Sequence, residues 1–69
     1  MATGMTRDRM REEARDIIEL LEDHQDEMNP KDFNFYVGIV EDLDVFGGRA
    51  RITERQLFWL RDMRDRYAL

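Results

Sequence analysis

Few residues in this chain have the chemistry to act on a substrate. His24 is the only histidine, and there is no serine or cysteine. Neither a Ser-His-acid nor a Cys-His arrangement can therefore be assembled. The aliphatic hydroxyls are Thr3, Thr6 and Thr53, placed at the terminus or where a helix needs a cap. His24 is expected at the apolar edge of a helix, as a boundary residue rather than an acid or base. Sixteen Asp and Glu side chains raise the question of metal binding, but Asp42, Asp44 and Gly47 do not reproduce a calcium-loop spacing. No Glu-x-x-His pair occurs either. Glu19–Asp23 and Glu22–Asp26, spaced i,i+4, would share a helix face and clamp a divalent ion only weakly, so a solvated face is expected there. Gly47-Gly48 lacks a phosphate-loop signature. The expectation is no catalytic residue, no metal site, no cofactor and no enzymatic activity.

Such residues would have to be positioned by a chain of 69 residues, enough for a single domain over 1–69 with a thin core. Hydrophobic residues at 42% and charged residues at 39% suit a folded domain rather than a disordered tail. Without cysteine there are no disulfides and no thiolate metal sites. No run approaches the roughly 20 apolar residues of a membrane span. Met1-Ala2-Thr3-Gly4-Met5 lacks a basic segment followed by an apolar stretch, and Gly4 is not where myristoylation requires glycine. A cytoplasmic protein with a flexible 1–5 segment is the expectation.

Periodicity predicts an all-α, compact three-helix domain. Thr6 is an N-cap candidate, and Met10, Ala14, Ile17, Ile18, Leu21, Gln25 and Met28 form one stripe of a helix over about 7–28, with Leu20 and His24 at its edge. Asn29-Pro30 ends it and opens the next: Asn caps, Pro suits N1, and Asp32 at N3 favours the positive helix end. The run from Phe33 to Val40 has strand-like composition, yet Phe33, Tyr36, Val40 and Leu43 stack at helical spacing with Ile39 and Phe46 beside them. Alternation fails, so a helix over about 30–46 is predicted. Gly47-Gly48 supplies a positive-φ stop. Thr53 and Gln56 have capping-box form, with Ile52 and Leu57 at the hydrophobic-staple positions. Leu57, Leu60, Met63 and Tyr67, with Trp59 at the edge, line a third helix over about 54–67. Leu21, Tyr36, Val40, Leu43, Leu57 and Leu60 are the expected central contacts.

The segment Ile52-Thr53-Glu54-Arg55-Gln56-Leu57-Phe58-Trp59-Leu60-Arg61-Asp62-Met63, continuing to Arg66-Tyr67, resembles an I/L-S/T-x-x-Q-x-x-W-L helical segment of small phage-encoded or DNA-replication-associated helical accessory proteins. The resemblance covers about half of the chain and rests on Thr53, Gln56, Trp59 and Leu60. It implies an accessory helical module without catalytic residues, in a phage or mobile-element setting. The acidic first helix is not part of that pattern.

Charge and exposed apolar residues define the surfaces. The net charge is −5, with five basic and thirteen acidic residues in 1–48 and six against three in 49–69. Glu12, Asp16, Glu19, Glu22, Asp23, Asp26 and Glu27 fall on the back of the first helix. From Asp16 to Glu27 there are six carboxylates and no Lys or Arg, where negative charge opposes the helix dipole. Like-charge pairs 19–23, 22–26 and 23–27 each cost a few tenths of a kcal/mol, about 0.2–0.5. A basic partner surface would offset that repulsion; added solubility is the rival explanation, and imitation of DNA phosphates a narrower variant. Phe35, Val37, Val45 and Phe58 cannot all enter so small a core and are expected at a partner or homodimer contact. The sequence thus points to a non-catalytic protein-binding or regulatory protein, such as an inhibitor. The alternatives are a DNA- or RNA-associated module using Arg51, Arg55, Arg61, Arg64 and Arg66, and a structural or assembly subunit. Among those arginines, Glu54, Asp62 and Asp65 are interleaved, which breaks the coherent positive surface that phosphates require.

Overall fold

The computed structural model describes residues 7–68; Thr6 and the 1–5 segment lie outside the described residues. Three α-helices, α1 (Arg7–Leu21), α2 (Pro30–Phe46) and α3 (Glu54–Met63), form the framework. Each α-helix but α2 is prolonged by a tighter or wider winding: Glu22–Glu27 is a 3₁₀ turn and Arg64–Ala68 a π turn. A further 3₁₀ turn, Gly47–Arg49, follows α2. No strand occurs among the described residues, so the Phe33–Phe46 stretch is helical despite its composition.

The local chemistry that sets the boundaries is in place. Asn29 Oδ1 accepts from the Asp32 N–H at 2.8 Å, with Pro30 at the start of α2. Gly47 adopts φ 53° and donates its N–H to Leu43 O, the positive-φ stop that favours glycine. At α3, Thr53 Oγ1 accepts from the Gln56 N–H at 3.1 Å and Gln56 Oε1 accepts from the Thr53 N–H at 2.9 Å, a complete capping box. Ile52 and Leu57, the staple pair, are both buried.

The chain runs up, down and up. Glu13 of α1 pairs with Arg61 of α3, and Leu20 shares a depression with Ala68, so α1 and α3 lie parallel. Asp32 near the start of α2 reaches Arg66 and Tyr67 at the far end of the chain, which sets α2 antiparallel to both. The core between them holds Ile17 and Leu21 of α1, Tyr36, Ile39 and Leu43 of α2, and Leu57, Leu60 and Met63 of α3.

The face that α2 turns inward differs from the expected one. Tyr36, Ile39 and Leu43 are buried, Val40 is half-buried, and Phe33 and Phe46 are exposed. Rotating the helix this way aligns Asp32, Tyr36, Ile39 and Leu43 at four-, three- and four-residue steps. Ile39 thereby replaces Val40 at the centre, and an aspartate joins the buried stripe. The cost of burying that charge is offset by three donors: Trp59 Nε1 to Oδ1 at 2.9 Å, and Arg66 Nη1 and the Tyr67 hydroxyl to Oδ2 at 2.8 and 2.7 Å. A buried carboxylate is tolerated when it is paired and hydrogen-bonded in this way. The Arg66 hydrogen bond leads the stabilisation, desolvation opposes it, and Tyr67 and Trp59 add to it, holding the carboxyl down at about 2.

Candidate functional site

The surface with the most distinctive chemistry is the outer face of α1 and the 3₁₀ turn that continues it. Ala14, Ile17 and Leu21 point into the core, so the opposite side of the same amphipathic helix must face solvent. Glu12, Asp16, Glu19, Glu22, Asp23, Asp26 and Glu27 are all exposed. Glu27 Oε2 lies 2.7 Å from His24 Nδ1, and Arg9 borders a shallow depression with Glu12, Glu13 and Asp16.

The winding of the turn changes how these charges are spaced. In a continuous α-helix Glu22–Asp26 and Asp23–Glu27 would stack one turn apart. With about three residues per turn, i,i+3 positions align instead and i,i+4 positions swing about 120° apart. Glu22 then aligns with Gln25, whose Nε2 donates to Glu22 O at 3.0 Å, and His24 aligns with Glu27. Of the aligned pairs only Asp23–Asp26 remains like-charged. The 3₁₀ winding so relieves part of the repulsion expected of an α-helix through residue 28.

An apolar residue interrupts the acidic face. Leu20 is 54% exposed and lies in a shallow depression with Asp16, Glu19, Glu22, Asp23, His24 and Ala68. Its place at the edge of the α1 stripe, among local carboxylates, was legible in the sequence; the Ala68 wall of the depression was not, because Ala68 arrives from the other end of the chain.

The four aromatic and aliphatic contact candidates do not share one environment. Val45 and Phe58 are exposed, at 72% and 69%. Phe35 is half-buried and stacked on Trp59, with ring centroids 3.9 Å apart and planes 13° off parallel; Val37 is half-buried against the core. Phe35 and Val37 are thus largely occupied within the domain. Phe58 borders a small depression with Met10, Glu54, Leu57 and Arg61.

The arginines divide similarly. Arg61 makes a two-pronged contact with Glu13, its Nη2 donating to Oε1 at 2.9 Å and its Nε to Oε2. That hydrogen bond, against the cost of desolvation, lowers the Glu13 carboxyl and raises the Arg61 guanidinium. Arg66 is shared by Asp32 and Asp62, which raises it further, and Arg64 contacts Asp65 at 3.3 Å. Arg51 and Arg55 are exposed. Three of the five candidate nucleic-acid contacts are therefore engaged by carboxylates of the same chain.

Among the described residues, no three His, Asp or Glu side chains converge as a metal-ligand set, and no helix is long and apolar enough to cross a membrane. No family model, no curated protein and no solved structure matches the chain, so function rests on the geometry just described.

Proposed function

We propose that the chain is a non-catalytic protein-binding protein, acting as a small regulator or inhibitor of the phage-type accessory kind, whose acidic α1 and 3₁₀ face engages a basic surface on a partner protein. The observation that carries the reading is the row of seven exposed carboxylates, Glu12 to Glu27, along one side of α1 and the 3₁₀ turn. Arg61, Arg64 and Arg66 of α3 and the π turn are engaged elsewhere, by Glu13, Asp32, Asp62 and Asp65. Charge of one sign concentrated on one face accelerates encounter with an oppositely charged surface and selects against like-charged ones. Leu20, exposed amid the carboxylates, supplies an apolar contact of the kind found inside a polar rim. Val45 and Phe58 offer further contact positions away from this face.

The test is a pull-down from the native host, comparing the wild-type chain with a Glu19→Gln, Glu22→Gln, Asp26→Asn variant whose helicity is checked by circular dichroism. A basic protein retained by the wild type and lost by the variant is the expected result, with affinity weakened about tenfold or more and the loss mimicked by raised salt. Capture that survives the triple substitution would refute the reading. So would salt-dependent binding to duplex DNA that disappears in Arg51→Ala plus Arg55→Ala, which would place function on the basic side chains.

A further inference from the structure

The two windings that depart from the α-helix meet at one end of the bundle: the 3₁₀ turn Glu22–Glu27 and the π turn Arg64–Ala68 pack against each other. The π turn contains no buried residue, whereas Leu57, Leu60 and Met63 just before it are all buried. Tyr67 and Ala68 rest half-buried against the core, and the polar contacts of the turn converge on one atom. Arg66 Nη1 and the Tyr67 hydroxyl both donate to Oδ2 of Asp32, and Tyr67 Oη accepts from the Asn29 N–H at 3.4 Å. Asp62 holds Arg66 from the other side at 2.8 Å, and the guanidinium lies over the Tyr67 ring, 5.1 Å from its centroid. Bonding in the i→i+5 pattern is rare and turns residues 66–68 away from where an α-helix would carry them. Here it brings two consecutive side chains onto a single carboxylate oxygen.

We propose that Arg64–Ala68 is a releasable strap: the Asp32 carboxylate holds it in the π winding, and it opens as one unit ahead of the three helices. The asymmetry in burial is the reason. Opening the strap frees no fully buried side chain of its own, its apolar residues Tyr67 and Ala68 being half-buried, while opening α3 exposes three core residues, and segments with few buried apolar contacts open locally at lower free energy. Met63, fully buried, anchors the hinge. Release also removes the Ala68 wall from the depression around Leu20 and His24. That consequence matters to binding only if the acidic face is the partner surface; the strap itself does not depend on it.

Amide hydrogen exchange of the isolated chain, read residue by residue by NMR, tests the strap without any partner. The wild type should exchange residues 66–68 about a hundredfold faster than Leu60 and Met63. Tyr67→Phe removes one donor and keeps the ring, and should speed exchange in 64–68 by about fivefold. Thr53→Ala, which loosens the far end of α3, should speed exchange at Leu60 and Met63 by about fivefold and leave 66–68 within twofold, because the strap opens without α3. Equal acceleration of 66–68 and of the α3 core in Thr53→Ala would overturn the proposal, as would exchange in 64–68 that does not lead that of α3 in the wild type or does not respond to Tyr67→Phe.

Discussion

Replacing Asp32 by asparagine isolates the energetic role of one buried carboxylate. The side chain is 3% exposed and accepts from Trp59, Arg66 and Tyr67. With Arg66 as the leading cause, its carboxyl titrates at about 2 instead of 3.8. A carboxylate whose folded value is depressed adds stability above its unfolded value and loses it as pH falls through the folded one. At about 1.4 kcal/mol per pH unit, the difference amounts to about 2 kcal/mol, present at neutral pH and lost between roughly pH 4 and pH 2. Asparagine keeps an oxygen for Trp59 but never ionises, so it imitates the protonated acid throughout. Asp32→Asn should therefore be less stable than the wild type by about 2 kcal/mol at pH 7, a fall of roughly 10 °C in Tm for a domain of this size. The two stability curves should then converge as pH drops from about 4 to 2. Thermal and urea denaturation followed by circular dichroism at several pH values would measure this. Glu13, lowered by Arg61, is remote from Asp32 and titrates in both proteins, so its effect largely cancels in the difference. A gap of constant size from pH 7 to pH 2 would refute the electrostatic account and leave only packing.

Other substitutions probe other elements. Leu60→Ala, at a fully buried position, should cost about 2–5 kcal/mol by urea denaturation. Thr53→Ala removes the hydroxyl half of the capping box and should cost about 1 kcal/mol, with helicity loss confined to α3. Two glycines should respond with opposite signs: Gly38→Ala, where an added Cβ meets nothing within 4 Å inside α2, should raise stability by about 0.5–1 kcal/mol, whereas Gly47→Ala at φ +53° should lower it by about 1 kcal/mol or more. Thermal melts of both variants distinguish these outcomes.

The start and stop of α2 and the start of α3 were legible because each is written in local chemistry: Asn29-Pro30, the Gly47 stop, and the Thr53–Gln56 box all act within a few residues; the α-winding of the first and third helices, expected to about 28 and 67, ends at Leu21 and Met63. The exposure of the acidic face was legible for a related reason, since Ala14, Ile17 and Leu21 fix the inner side of α1. Less could be read of α2. Its apolar residues are spread widely enough to allow two inward faces, and the choice between Val40 and Ile39 depends on what α3 presents to it. The Asp32 cluster was hidden by distance, since its donors lie 27 to 35 residues away in sequence. Asp32 four residues before Tyr36 did carry a signal, a charge on what becomes the buried stripe, but capping already accounted for it. The 3₁₀ and π windings had no such signal. They differ from the α-helix by small local energies that tertiary contacts decide.

The two reversals between three helices have a practical effect on how this molecule can be handled. With α1 and α3 side by side and pointing the same way, the Asp8 end of α1 lies beside Gly48–Arg51, while Ala68 lies beside Leu20 and His24. A fluorophore carried on an Arg51→Cys side chain, at an exposed position, therefore leaves the carboxylate pole unobstructed, and one carried on Ala68→Cys crowds it.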